Sequence, residues 1–264
     1  LMNLKYALLT GTVPDSHPAA MFLLVAFVAI SFIARKAFCS WLCPIGTLSE
    51  YLWEGGREIF GRNFQAPRWL DIPLRGLKYL LLGFFAYAVA GMTVPELHAF
   101  ATSPYGLIAD VKMLNFFRDI GTTGAVVIAV LLVGSVFVKN LWCRYLCPYG
   151  ALVGIVSLFS PARIRREADA CIDCAKCAKS CPSLLPVDKL TTVQSAECTG
   201  CLECVAVCPA EGALRLSVGR SRAIPTWAVA TAITAIFLGI VGYAQVTGRW
   251  HSNIPDATYR ELVP

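Results

Sequence analysis

Charge is scarce in this chain: only 15% of its 264 residues are Asp, Glu, Lys or Arg, against about a quarter in soluble domains. A water-soluble globular domain is thereby disfavoured. No basic n-region with a cleavage site is visible at the start, so no secretory leader is read there. No finger-like or RNP-like motif accompanies the formal charge of +6, which excludes a nucleic-acid partner on motif grounds. The cysteines, 12 in all, fall short of the density of a disulfide scaffold.

What is abundant is apolar sequence, 56% of residues with a mean hydropathy of +0.61. It gathers in four runs, about Pro18–Ala34, Leu77–Val94, Gly121–Val138 and Ile224–Val246. Each approaches the ~20 residues that a helical bilayer span needs. Tyr149–Phe159 is too short to span and reads as interfacial. Ile45–Phe60 carries Glu50, Glu54, Arg57 and Glu58 and reads as a surface-lying amphipathic helix.

Lys and Arg set the expected orientation. Eighteen lie in the segments between the first and second and between the third and fourth spans, and five elsewhere. The eighteen are expected on the cytoplasmic side of a bacterial inner membrane, with both ends of this chain outside. An outside start implies a further helix upstream.

The cysteines carry the chemistry. Cys171-x2-Cys174-x2-Cys177-x3-Cys181-Pro182 recurs as Cys198-x2-Cys201-x2-Cys204-x3-Cys208-Pro209. This is the spacing of bacterial two-cluster ferredoxins, in which the fourth cysteine of each run ligates the other cluster. The expected sets are therefore Cys171, Cys174, Cys177 and Cys208 for one 4Fe–4S cluster, and Cys198, Cys201, Cys204 and Cys181 for the other. Zinc does not account for two copies of a four-cysteine run, and disulfides do not suit a reducing compartment.

A second repeat pairs Phe38-Cys39-Ser40-Trp41-Leu42-Cys43-Pro44-Ile45-Gly46 with Trp142-Cys143-Arg144-Tyr145-Leu146-Cys147-Pro148-Tyr149-Gly150. Proline disfavours helix at the residue before it and suits the first turn of a new one. Each cysteine pair is thus expected to straddle a helix break. Cys39, Cys43, Cys143 and Cys147 form a candidate third site for copper, zinc or an iron–sulfur centre; the alternative is four redox-passive cysteines at a packed junction. Glu96 and His98, just past the second run, are candidate proton acceptors for quinol oxidation, against an ordinary polar interfacial loop. Arg163, Arg165 and Arg166 could face anionic lipid or neutralise nearby clusters.

The expected fold is mainly α: polytopic transmembrane helices with an inserted α+β two-cluster bacterial-ferredoxin domain. The expected parts are a membrane domain over 1–160, the cytoplasmic ferredoxin domain over 161–222, a last span over 223–246 and an external tail over 247–264. The two repeats, in this order, resemble the polyferredoxin membrane proteins of the NapH/NosR type and, more distantly, the CcoG group; Leu9–Pro14 resembles that family's external loop. The resemblance implies a quinol dehydrogenase passing electrons from the quinone pool through 4Fe–4S clusters towards a periplasmic reductase or carrier. The departure lies at the C-terminal end, where a span and tail are added, which leaves the partner open. The rival readings are a copper-cofactor maturation factor of the CcoG type and a non-catalytic redox sensor or anchor.

Overall fold

The computed structural model describes residues 1–61, 64, 66–219 and 222–263. Arg62 and Arg220, counted above for orientation, lie outside the described residues. The chain forms two compact units: Leu1–Ala26 with Gly83–Val130 and Leu238–Pro264, and Phe27–Leu82 with Leu131–Phe237.

The long apolar runs become helices α2 (Pro18–Ile33), α5 (Arg68–Gly91), α9 (Thr122–Phe137) and α13 (Thr226–Val246). Among the described residues, two stretches, Trp69–Gly91 and Thr226–Val246, are long and apolar enough to cross a bilayer. A third crossing arises if α8 (Ala109–Arg118) and α9, bent by 78° across their break, count as one span. At 16 residues, α2 rises only ~24 Å, short of a ~30 Å hydrocarbon core. Of the four expected spans, the first and shortest becomes a short apolar helix, the second and fourth become full-length helices, and the third becomes the second half of the bent pair. Leu80, Phe84 and Tyr87 on α5 are more than half exposed, the surface a lipid-facing helix presents.

In the first unit, α1 (Met2–Thr10) packs on α6 (Val94–Ala101). Lys5 Nζ donates to the carbonyls of Val89, Ala90 and Met92 at 2.6–3.0 Å, closing the C-terminal end of α5. A short turn, α7 (Pro104–Leu107), leads into α8, and α14 (Asp256–Leu262) lies near the end of the tail. The Tyr259 hydroxyl donates to the Asp110 carboxylate, fixing α14 to α8.

In the second unit, α3 (Ala37–Trp41) and α4 (Pro44–Phe60) follow α2, and a π-helical turn (Trp142–Leu146) and α10 (Pro148–Leu158) follow α9. The ferredoxin segment holds β1 (Ala162–Arg166), α11 (Lys176–Ser180), α12 (Glu203–Ala206), β2 (Leu214–Val218) and β3 (Arg222–Ala223). β1 and β2 pair antiparallel from Ala162↔Val218 to Arg166↔Leu214, and β3 extends the ribbon to three strands. Alternation puts Ala162, Ile164, Leu214 and Leu216 on the buried face. They share one core with Val187, Val193, Cys177, Cys181, Cys198 and Cys204, and with Ile30, Ala34 and Ala37 of the α2–α3 bend.

Candidate redox centres

The two ferredoxin loops fold alike because they place left-handed residues at matching positions. Asp173 (φ 50°) and Gly200 (φ 66°) stand two residues after the first cysteine of each run. Ala175 (φ 55°) and Leu202 (φ 66°) stand one residue after the second. Three of these four are not glycine, and left-handed backbone is uncommon for such residues. It recurs here at matching positions of the two runs, just before the short helices that follow. Short helices α11 and α12 then carry the third cysteines, Cys177 and Cys204, into the core.

The fourth cysteine crosses over. Cys181, from the first run, lines one cavity with Cys198, Cys201 and Cys204 of the second, walled by Ile164, Leu185, Val187 and Val193. Burial pushes the Cys201 thiol up to about 11, and the nearby Cys198 and Cys181 add to the rise. A buried set of thiols that resists ionisation alone becomes a thiolate set once iron supplies positive charge, so the donor chemistry fits a cluster. In the other set, Cys177 and Cys208 lie within each other's electrostatic reach, Cys171 is half-buried and Cys174 exposed. Arg166, 3.5 Å from Asp173, faces the Cys171 loop rather than lipid.

The second repeat breaks where proline dictates. Pro44 and Pro148 open α4 and α10, and Cys43 and Cys147 sit at the N-caps with extended backbone, ψ 114° and 105°. The Cys147 Sγ accepts from the Gly150 N–H at 3.3 Å. The four thiols feel one another: Cys43 and Cys147 act on Cys39, and Cys147, Cys39 and Cys43 act on Cys143. Burial leads in pushing Cys39 up to about 11 and Cys143 up to about 12, while the Lys36 ammonium pulls both the other way. Among the described residues no three His, Cys, Asp or Glu side chains converge on a point that one ion could fill.

The second ferredoxin loop is bonded directly onto this junction. Ser40 Oγ donates to Thr199 O at 2.9 Å, Trp41 Nε1 to Gly200 O at 3.2 Å, and Arg35 Nη2 to Ser195 O at 2.7 Å. A methyl on Gly200 would lie 2.9 Å from Ala34 O, so the close approach requires glycine. Lys78 Nζ grips both Glu197 carboxylate oxygens at 2.6 Å. Burial opposes the Glu197 charge, but Lys36 and Lys78 overcome it and hold the carboxyl below its ordinary value. Arg144 makes a two-pronged pair with Asp71 at 2.8 and 2.9 Å and donates to Ser183 O at 2.9 Å. Tyr145 and Arg75 bond to the same aspartate.

The sequence reading treats these cations as topology signals. Yet Arg35, Lys36, Lys78, Lys139 and Arg144 are all buried, none more than 5% exposed. Only the placing of Lys36 three residues before Cys39, and of Arg144 beside Cys143, hinted at a role. Lys36 lines a small cavity with Cys39, Cys143, Glu50 and Glu197. Lys139 stands 3.5 Å over the Trp53 ring, a cation–π placement.

Glu96 and His98 part company. Glu96 accepts from the Thr93 N–H at 2.7 Å and the Thr93 hydroxyl at 2.9 Å, completing the capping box of α6. These bonds hold its carboxyl below the ordinary value, making it a poor proton acceptor. His98 instead lines a cavity of about 740 Å³ in the first unit, with Tyr6 and His17; the latter two were not singled out from sequence.

Comparison with known proteins agrees with this layout. A family described as "4Fe-4S binding domain" matches residues 16–67 and 120–167, one stretch over each Cys-x3-Cys-Pro half. Another, "4Fe-4S dicluster domain", matches 163–221. YccM of Escherichia coli (strain K12), named "Putative electron transport protein", is 52% identical over 270 residues, covering 100% of this chain and 76% of its own length. "Ferredoxin-type protein NapH" of Haemophilus influenzae is 27% identical, covering 78% of this chain and 76% of its own. "Regulatory protein NosR" of Pseudomonas aeruginosa is 32% identical over 70% of this chain, which spans only 25% of NosR. No solved structure matches significantly. The chain belongs to the family of YccM, 4Fe–4S-binding membrane proteins related to NapH, NosR and NirI.

Proposed function

We propose that this protein is a membrane electron-transfer subunit that takes electrons from quinol and passes them through 4Fe–4S centres to a partner reductase. The observation that carries the reading is the direct bonding of the second ferredoxin loop onto the Cys-x3-Cys-Pro junction through Ser40, Trp41 and Arg35. It makes the two thiol sites neighbours within one packed unit, the arrangement a relay needs.

Cys181, Cys198, Cys201 and Cys204 hold one cluster, and Cys171, Cys174, Cys177 and Cys208 the other. Cys39, Cys43, Cys143 and Cys147 hold a third centre, in keeping with the 4Fe–4S description of the family that matches both halves. Such centres supply one-electron transfer. The chain fixes their spacing, buries the Cys177, Cys181, Cys198 and Cys204 side chains and sets the surrounding charge. Lys36 and Lys78, both buried, act together on the Glu197 carboxylate. A buried surplus cation is costly unless an anion faces it. Thiolates at Cys39 and Cys143, formed on metal binding, supply that anion.

The ferredoxin segment lies on the cytoplasmic side, with both described ends outside. Among the described residues, five of the eighteen cations behind that orientation are buried in the fold, and the other thirteen still outnumber the five elsewhere. The acceptor is a periplasmic reductase or electron carrier, and no nucleic acid takes part. YccM carries electron transport in its name, which supports the reading.

The test is anaerobic. Protein purified in detergent is assayed for iron and sulfide, then mixed with a quinol while absorbance and EPR follow cluster reduction. About 12 iron atoms per chain and rapid, inhibitor-sensitive reduction support the proposal, since each cube holds four irons. Clusters that dithionite reduces and quinol does not would overturn it. Copper bound at Cys39, Cys43, Cys143 and Cys147 would then favour the maturation role, and its absence the sensor or anchor.

A further inference from the structure

The cavity in the first unit is built by four separate pieces of chain: α1, the loop over residues 12–17, the α6–α7 region and the tail around Asn253–Thr258. At about 740 Å³ it falls in the range of small-molecule sites. Its lining is mostly apolar, with His17, His98 and Tyr6 as the aromatic polar groups. The rings of Tyr6 and His98 stand 6.3 Å apart, tilted by 35°.

His17 is held in an unusual way. Its backbone is left-handed, φ 50°, which is uncommon for a residue other than glycine and a mark of functional sites when the surroundings enforce it. Asn3 Nδ2 enforces it by donating to the carbonyls of Ser16 and His17 at 3.3 and 3.1 Å. Asn253 N donates to Asp15 O at 3.2 Å, tying the tail to the same loop. His17 Nε2 lies 3.0 Å from Gly106 O. A carbonyl oxygen only accepts, so Nε2 is the donor in this bond, which leaves Nδ1 as the ring nitrogen able to accept. The carbonyl itself is fixed: a methyl on Gly106 would lie 2.2 Å from Phe100 O, and Ser103 Oγ accepts from Gly106 N at 3.0 Å. Asp110 lies within electrostatic reach of His17.

We infer that this cavity is the binding site for the quinol headgroup, with His17 Nδ1 accepting the proton of a ring hydroxyl and His98 lining the opposite role of second polar contact. The inference rests on the quinol reading above. A planar ring with a hydroxyl at each end suits an apolar cavity with a few polar groups. Oxidation breaks both O–H bonds: one proton goes to His17 and the other to water, and the two electrons leave singly for the iron–sulfur centres. The C-terminal tail, unassigned from sequence, becomes one wall of the site.

The experiment uses the full chain with its clusters, in nanodiscs. A short-chain azidoquinone is photolysed and the labelled peptides mapped, and duroquinol oxidation is measured in parallel. Label is expected on peptides holding His17, His98 or Asn253–Thr258, displaced by excess duroquinol. His17→Asn, which tolerates left-handed backbone, should lower kcat about 100-fold, in the range of a lost general base, with KM within about threefold. Ala101→Trp, on a cavity wall, should abolish the label while dithionite still reduces the clusters. Label elsewhere, with both variants oxidising duroquinol at the parent rate, would overturn the site and leave the quinol reading standing. A parent protein that no quinol reduces would overturn that reading, and specific label in the cavity would still establish the binding site; no label there as well would sink both.

Discussion

The two Cys-x3-Cys-Pro halves are alike in sequence but should answer one substitution oppositely. Gly46 and Gly150 occupy the same place, two residues after the proline, in the first turn of α4 and α10. In the first half, a methyl on Gly46 would lie 2.3 Å from the Cys39 carbonyl oxygen. That oxygen is backbone and cannot swing aside, so α3 and α4 must separate by about 1 Å to restore ordinary contact. Overpacking of this kind costs about 1–3 kcal/mol, and the gain in helix propensity, about 1 kcal/mol, offsets only part. In the second half the π-helical turn lifts Cys143 away: a methyl on Gly150 meets Cys143 O at 3.4 Å and Lys36 Nζ at 3.6 Å. Gly150→Ala should therefore be neutral or stabilising by up to about 1 kcal/mol, while Gly46→Ala destabilises by about 1 kcal/mol net, a fall of roughly 2–4 °C in Tm for a chain of this size. Thermal unfolding in detergent, with iron content measured on the same samples, checks both. Equal shifts for the two variants would refute the asymmetry of the junction, and with it the contrast between α3 and the π-helical turn.

Removing one partner of the buried Lys78–Glu197 pair should cost about 3–5 kcal/mol; Lys78→Met with Glu197→Leu should recover much of that, and strictly additive losses in a double-mutant cycle would contradict the pairing. Cys181→Ser should remove the cluster held with Cys198, Cys201 and Cys204, lowering iron by about four atoms per chain, whereas a loss of both ferredoxin clusters together would show that the two sets do not load separately. Glu96→Gln should leave quinol oxidation within about twofold, because Glu96 caps a helix; a large fall in kcat would restore it as a proton acceptor. Tyr259→Phe should speed proteolysis of the tail by freeing α14 from Asp110, and an unchanged cleavage rate would mean that the hydroxyl bond does not hold it.

How much was legible follows from distance along the chain. The ferredoxin runs and the breaks at Pro44 and Pro148 are local signals, and proline chemistry alone places Cys43 and Cys147 at helix starts. The crossing of Cys181 into the second set is carried by spacing. Lys78 and Glu197, 119 residues apart, left no local trace, and a lysine beside an apolar run looks the same whether it faces headgroups or a buried carboxylate. His17 was passed over because its left-handed backbone and its bond to Gly106 exist only once loop, helix and tail meet. The bend between α8 and α9 was hidden because hydropathy reports composition and not direction; Asp119 to Gly121, between the two helices, gives the only sequence mark of the break.

In the proposed function, electrons from quinol enter the iron–sulfur relay of this chain. The most direct measurement is freeze-quench EPR of the cluster-loaded protein mixed with excess duroquinol. The reduced-cluster signal should rise at least as fast as steady-state quinol oxidation, and should be lost when a quinol-site inhibitor is added first. Clusters that stay oxidised throughout turnover, while dithionite reduces them fully, would contradict it.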